Sequence, residues 1–242
     1  MIDRSFAAIV HRVKEPLGWG AAALLLFLQS AAVNYVLPLS LGPLVIVQPW
    51  LMDHGFLMYD NIGDNHTPLM PWALSFLRWL VPDGPKLARI SLVFLILLSG
   101  LLLYWAARKR SGVGFGLAAV FFFVAWAPAF GFGKLWHETF LTPLFLVLIL
   151  LWPERMGVSE RRRAFLTGLV LGLAILVKQQ AGLVWLGWAV WWTVASRFNR
   201  RSWRSLITEL VWMAVGSALP FVLFLIYQFG SRGTLSNLWF WV

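Results

Sequence analysis

The chain has no cysteine and little charge: among its 242 residues, Asp and Glu together number 10, and charged residues make up 12%. Without cysteine, this chain has no disulfide framework, thiolate zinc site, iron–sulfur cluster or cysteine nucleophile. A soluble domain carries about 25% charged and roughly 45–50% apolar residues. Here the charge is about half that and hydrophobic residues reach 60%, so the composition reads as a membrane protein and not as a water-soluble globule. A further absence is local: no Lys or Arg occurs between Glu15 and Arg78. What the chain does hold is aromatic, with 16 Trp and 19 Phe, as suits repeated encounters with bilayer interfaces.

A helix crossing the hydrocarbon core needs about 20 mostly apolar residues. Apolar runs near 17–37, 87–107, 113–131, 137–152, 164–178, 180–196 and 206–228 predict seven such spans, in an all-α, polytopic membrane helix bundle. The first run is long and lacks a small-residue cleavage site after it, unlike a signal peptide.

The net charge of +10 is explained by topology. If the spans alternate, fourteen of the 20 Lys and Arg fall on one side. They are Arg4, Arg12 and Lys14; Arg108, Lys109 and Arg110; Arg155 and Arg161 to Arg163; and Arg197, Arg200, Arg201 and Arg204. The positive-inside rule then places the N-terminus in the cytoplasm and the 38–86 loop outside. Nucleic acid is not needed to account for the basic residues, and the partners expected are membrane lipids.

The outward segments carry the unusual chemistry. The 38–86 loop holds Asp53, His54, Asp60, Asp64, His66 and Asp83, with Pro43, Pro49, Pro68, Pro71, Pro82 and Pro85 breaking it into short pieces. Residues 69–81 are apolar and Trp-rich but too short to span, which predicts a helix lying in the outer interface with Pro71 in its first turn. A second outward segment puts Lys134, His137 and Glu138 at the mouth of the fourth span. A third is little more than Lys178-Gln179-Gln180. Residues 164–177 cover about 21 Å, which predicts that Lys178 lies below the outer surface, where an ionisable group marks a functional site by default. Asp53, Asp83, Arg78, Lys86 and Arg232 read instead as ordinary loop polarity, and Glu209 as a side chain snorkelling from the cytoplasmic end of the seventh span.

The run from Gly55 through Tyr59-Asp60, Asp64-Asn65-His66 and Thr67-Pro68-Leu69 resembles the first outer loop of the polytopic glycosyltransferases with the GT-C fold. These include the dolichyl-phosphate-mannose protein mannosyltransferases and the lipid A aminoarabinose transferases. Trp136-His137-Glu138-Thr139 is similar to the acidic position opening the family's fourth span, and Gly168-x-x-x-Gly172 through Val177-Lys178-Gln179 to its glycine-rich helix. The likeness covers residues 40–190 in order. It implies a single GT-C-like transmembrane domain over 1–242, probing an outward catalytic pocket that takes a polyprenyl-phosphate sugar as donor. One glycosyl group would pass to an acceptor, whether protein, lipid or glycan, at a bacterial plasma membrane. The resemblance implies Asp60, Asp64 and Glu138 as catalytic carboxylates and Lys178, with Lys134, as donors to the departing phosphate. His66, His137 and Gln179 would orient groups or bind substrate, and a divalent metal stays open.

This sequence departs from the family where an acid usually follows the first span: Leu41-Gly42-Pro43 has none. Members are also longer, so an N-terminal portion of a longer protein is expected. Two other readings compete: a lipid-linked-sugar transporter or flippase, and a non-catalytic membrane subunit. The absence of cysteine gives a clean background for testing topology. A single cysteine at Arg110→Cys is expected to react with an impermeant maleimide only from the cytoplasmic side, and one at Asp83→Cys only from outside. Labelling of both from one side would overturn the alternation.

Overall fold

The structure is a computed structural model and describes residues 4–35, 43–58, 62, 66–126, 134–151, 159–198 and 202–230. Among the described residues it is all-α, with nine helices and no strand. In chain order these are α1 (Arg4–Tyr35), α2 (Pro43–Asp53), α3 (Leu69–Arg78), α4 (Gly84–Ser111), α5 (Val113–Trp126), α6 (His137–Leu150), α7 (Glu160–Val177), α8 (Ala181–Phe198) and α9 (Trp203–Gly230).

A helix stands at each of the seven positions expected from the apolar runs. Among the described residues, α4 and α9 are long and apolar enough to cross a membrane, with mean hydropathies of 2.3 and 2.1 in their most apolar windows. The other apolar helices include shorter ones; α5 and α6 have 14 residues each, about 21 Å against a hydrocarbon core of roughly 30 Å.

The chain divides into two compact units, Met1–Gly42 with Pro85–Leu146, and Pro43–Gly84 with Val147–Val242. In the first unit, Tyr104 of α4 is fully buried among Ala22 and Leu26 of α1 and Val120 of α5. Its ring meets Trp19 edge-on at 4.6 Å between centroids. Gln29 of α1 donates to the Val124 carbonyl of α5 at 3.0 Å, and Arg108 pairs with Glu15.

The second unit is built on a backbone contact between α7 and α9. A Cβ on Gly168 would lie 1.9 Å from the Met213 carbonyl oxygen, one on Gly172 2.4 Å from that of Ser217, and one on Gly216 2.1 Å from that of Phe165. These glycines let the two backbones touch, as small residues four apart do in membrane helix pairs. Matched residues ascend together, so α7 and α9 run parallel. The Ser217 hydroxyl lies 3.0 Å from the Gly168 carbonyl and 2.9 Å from that of Met213, and it accepts the Trp185 indole N–H from α8 at 2.8 Å.

Glu209 corrects an expectation. Instead of snorkelling to water it is 2% exposed and accepts hydrogen bonds from the Trp192 indole at 2.7 Å and the Ser205 hydroxyl at 2.8 Å. Arg163, also buried, stacks on the Trp192 ring at 5.2 Å. The carboxylate stays inside because donors reach both of its oxygens, which the sequence alone did not reveal.

The described parts of the 38–86 segment are also more helical than its prolines suggested. Pro43 opens α2, where a missing N–H costs little, and Pro49 lies within that helix. Helix α3 forms as expected with Pro71 in its first turn. Asp53 and Arg78, read as loop polarity, join the ends of α2 and α3: Arg78 donates to Asp53 at 2.6 Å, and so does Ser75. As a partly exposed pair this contributes about 1 kcal/mol or less.

The glycine seam predicts a position-specific loss. Gly168→Val is expected to destabilise the protein by about 1–3 kcal/mol through overpacking against backbone. Gly187→Ala, where a Cβ meets nothing within 4 Å, should leave stability unchanged or slightly raised. Thermal unfolding of the two variants in detergent checks this.

Candidate functional site

Helix α7 ends at Val177, and Lys178 follows in an extended conformation, φ −156° and ψ 120°. Its amide still bonds the Ala174 carbonyl at 2.9 Å, and its own carbonyl receives the Ala181 amide at 2.9 Å. Gln179 and Gln180 pass their carbonyls to the amides of Gly182 and Leu183. Lys178 is thus held in a braced turn between two helices, half-buried together with Gln179, whereas Gln180 is exposed.

The acid-bearing segment is tied to this same end of the unit. Met58 and Ile62 form an isolated bridge, with the Ile62 amide 3.2 Å from the Leu57 carbonyl. Both side chains are buried against Leu176 of α7 and Phe224 of α9. Gln228, near the end of α9 and 1% exposed, donates to the Met58 carbonyl at 3.1 Å. On the other side of the segment, the Thr67 hydroxyl donates to the Ile175 carbonyl at 2.7 Å, one turn before Lys178. His66, half-buried, immediately precedes this anchor. Asp60 and Asp64 lie outside the described residues; what the structure describes are their flanks, fixed to the C-terminal ends of the parallel helices α7 and α9.

The remaining candidates belong to the first unit. Glu138 sits in the first turn of α6, where a negative charge faces the positive end of the helix dipole. Its side chain is exposed, as is that of Lys134. The Lys134 carbonyl accepts the Thr139 hydroxyl at 3.0 Å, closing the turn that starts the helix. His137 is fully buried with its ring edge-on to Trp136 at 5.5 Å. Adjacent helical residues point about 100° apart, so His137 faces the interior while Glu138 faces out. Among the described residues no group of three or more His, Asp and Glu is arranged to hold a metal ion.

Two anchoring residues carry no signal of charge in the sequence. Thr67 lies inside the His66-Thr67-Pro68 motif but was overshadowed by its titratable neighbour. Gln228 is a polar side chain in an otherwise apolar run, a signal that does point to an internal partner. The chain matches no protein-family model, no curated protein and no solved structure.

The Gln228 anchor is open to direct measurement. Gln228→Leu leaves the buried Met58 carbonyl without its donor, at a cost of about 1–3 kcal/mol. The expected outcome is hydrogen exchange at the Ile62 amide faster by about five- to a hundredfold, with mid-α7 amides unaffected. Unchanged exchange would mean that the segment is held by packing alone.

Proposed function

We propose that the protein is a multi-pass membrane glycosyltransferase of the GT-C type. It takes a sugar from a polyprenyl-phosphate donor and passes it to an acceptor on the outer face of a bacterial plasma membrane, with its own N-terminus in the cytoplasm. The one-sided distribution of Lys and Arg, together with two helices of spanning length, supports the membrane part of this reading. The observation that carries the catalytic part is the anchoring of the segment between Met58 and Thr67 at the Lys178 end of α7. A segment with two carboxylates is thereby tethered at the helix end that carries an ammonium group.

That pairing suits glycosyl transfer from a lipid phosphate. A carboxylate, Asp60 or Asp64, takes the proton of the acceptor as its oxygen attacks the sugar's anomeric carbon. The bond from that carbon to the donor phosphate breaks, and the Lys178 ammonium stabilises the charge that grows on the phosphate. His66 and Gln179 flank the two groups in sequence and would orient them. Glu138, Lys134 and His137 enter through the family likeness, and a divalent metal remains an open component.

The missing acid at Leu41-Gly42-Pro43 favours a second reading, a non-catalytic subunit that binds the lipid carrier. The full chain, reconstituted with radiolabelled polyprenyl-phosphate sugars, separates the two. The enzyme reading expects sugar release, reduced about 10²- to 10⁴-fold when the operative base is removed in Asp60→Asn or Asp64→Asn, and reduced also in Lys178→Ala. Binding without release supports the subunit. Labelled donor carried intact into sealed vesicles identifies a transporter. Release that is equal in all three variants would overturn the site.

A further inference from the structure

At the opposite end of α7 and α9 from the acidic segment, a cleft of about 700 Å³ opens between the two helix starts. Arg161 and Glu160 line it from α7, and Arg204, Ser205 and Thr208 from α9, with Glu209 also lining it. The volume lies within the roughly 300–1,000 Å³ of small-ligand sites.

The charges in the cleft are not equivalent. Both carboxylate oxygens of Glu209 already accept hydrogen bonds, from Trp192 and Ser205, and the side chain is 2% exposed. The Ser205 and Thr208 hydroxyls also have acceptors, Glu209 and the Arg204 carbonyl. Exposed in the cleft are Arg161 and Arg204, one from each helix, while Glu160 is half-buried. The lining thus holds two guanidiniums and two carboxylates, with the Glu209 carboxylate buried behind its own donors and the guanidiniums exposed. Guanidinium forks match phosphate oxygens two at a time.

We propose that this cleft binds a phosphodiester, with Arg161 and Arg204 clamping its oxygens from opposite walls. In the topology given above the cleft lies at the cytoplasmic end of the spans, level with phospholipid headgroups, which are phosphodiesters. Basic clefts between helices on that side are where anionic headgroups are recognised. This inference rests on the membrane topology and is independent of the glycosyltransferase chemistry.

The test uses the full chain in phosphatidylcholine nanodiscs containing phosphatidylglycerol, with retained phosphatidylglycerol counted by native mass spectrometry after detergent extraction. Wild type is expected to retain it in preference to phosphatidylcholine. Arg161→Gln with Arg204→Gln, both at exposed positions, should weaken retention by about tenfold or more. Lys109→Gln with Arg110→Gln removes the same charge from the end of α4 and should not. Soluble glycerophosphoglycerol, added as competitor, separates the two sources. Displacement identifies the headgroup diester as sufficient, and failure to displace identifies the intact lipid as the ligand. Equal retention by the Arg161/Arg204 variant, or an equal loss in the Lys109/Arg110 variant, would overturn the proposal.

Discussion

The contact on which the second unit depends is backbone against backbone. Gly168 and Gly172 on α7 meet Met213 and Ser217 on α9, and Gly216 meets Phe165 in return. Because the two helices run parallel, closing this seam sets both of their ends. At one end the paired C-termini present the Ile175 carbonyl and the Gln228 amide that hold the acid-bearing segment. At the other the paired N-termini bring Arg161 and Arg204 to either side of one cleft. Side chains at the seam would move the helices apart and disturb both ends together.

Much of the architecture was legible because apolar runs are the strongest signal a chain of this composition carries. Helices stand where those runs predicted them, and the proline-bracketed stretch after Pro68 forms α3 as expected. Helix α2 was missed because its two prolines argued for broken chain, whereas one opens the helix and the apolar residues around the other sustain it. Glycines 168 and 172 were noticed as a motif, yet their partners near residue 216 were not, since pairing between distant segments leaves no local trace.

The candidate site was legible in part. Lys178 was picked out as an amine at the end of a short apolar run, and the structure holds it half-buried in a braced turn. Glu209 was misread because a carboxylate near a helix start ordinarily reaches water, and nothing in its neighbourhood of sequence announces Trp192 as a donor. Thr67 and Gln228 were passed over because they act through neutral hydrogen bonds to carbonyls far away in the chain. Charge and motif spacing single out titratable candidates; the neutral donors that anchor the chain beside them emerge once distant helix ends are brought together.

Helix α8 is fastened by two indoles on one stripe. Trp185 reaches Ser217 and Trp192 reaches Glu209, seven residues apart on α8 and eight on the antiparallel α9. Seven residues is close to two full turns, so both latches close in a single azimuth and a single axial register. Sliding the helix by one turn would break both hydrogen bonds at once and take two indole N–H groups away from their acceptors. Such an element cannot act as a sliding gate; it is a fixed stave.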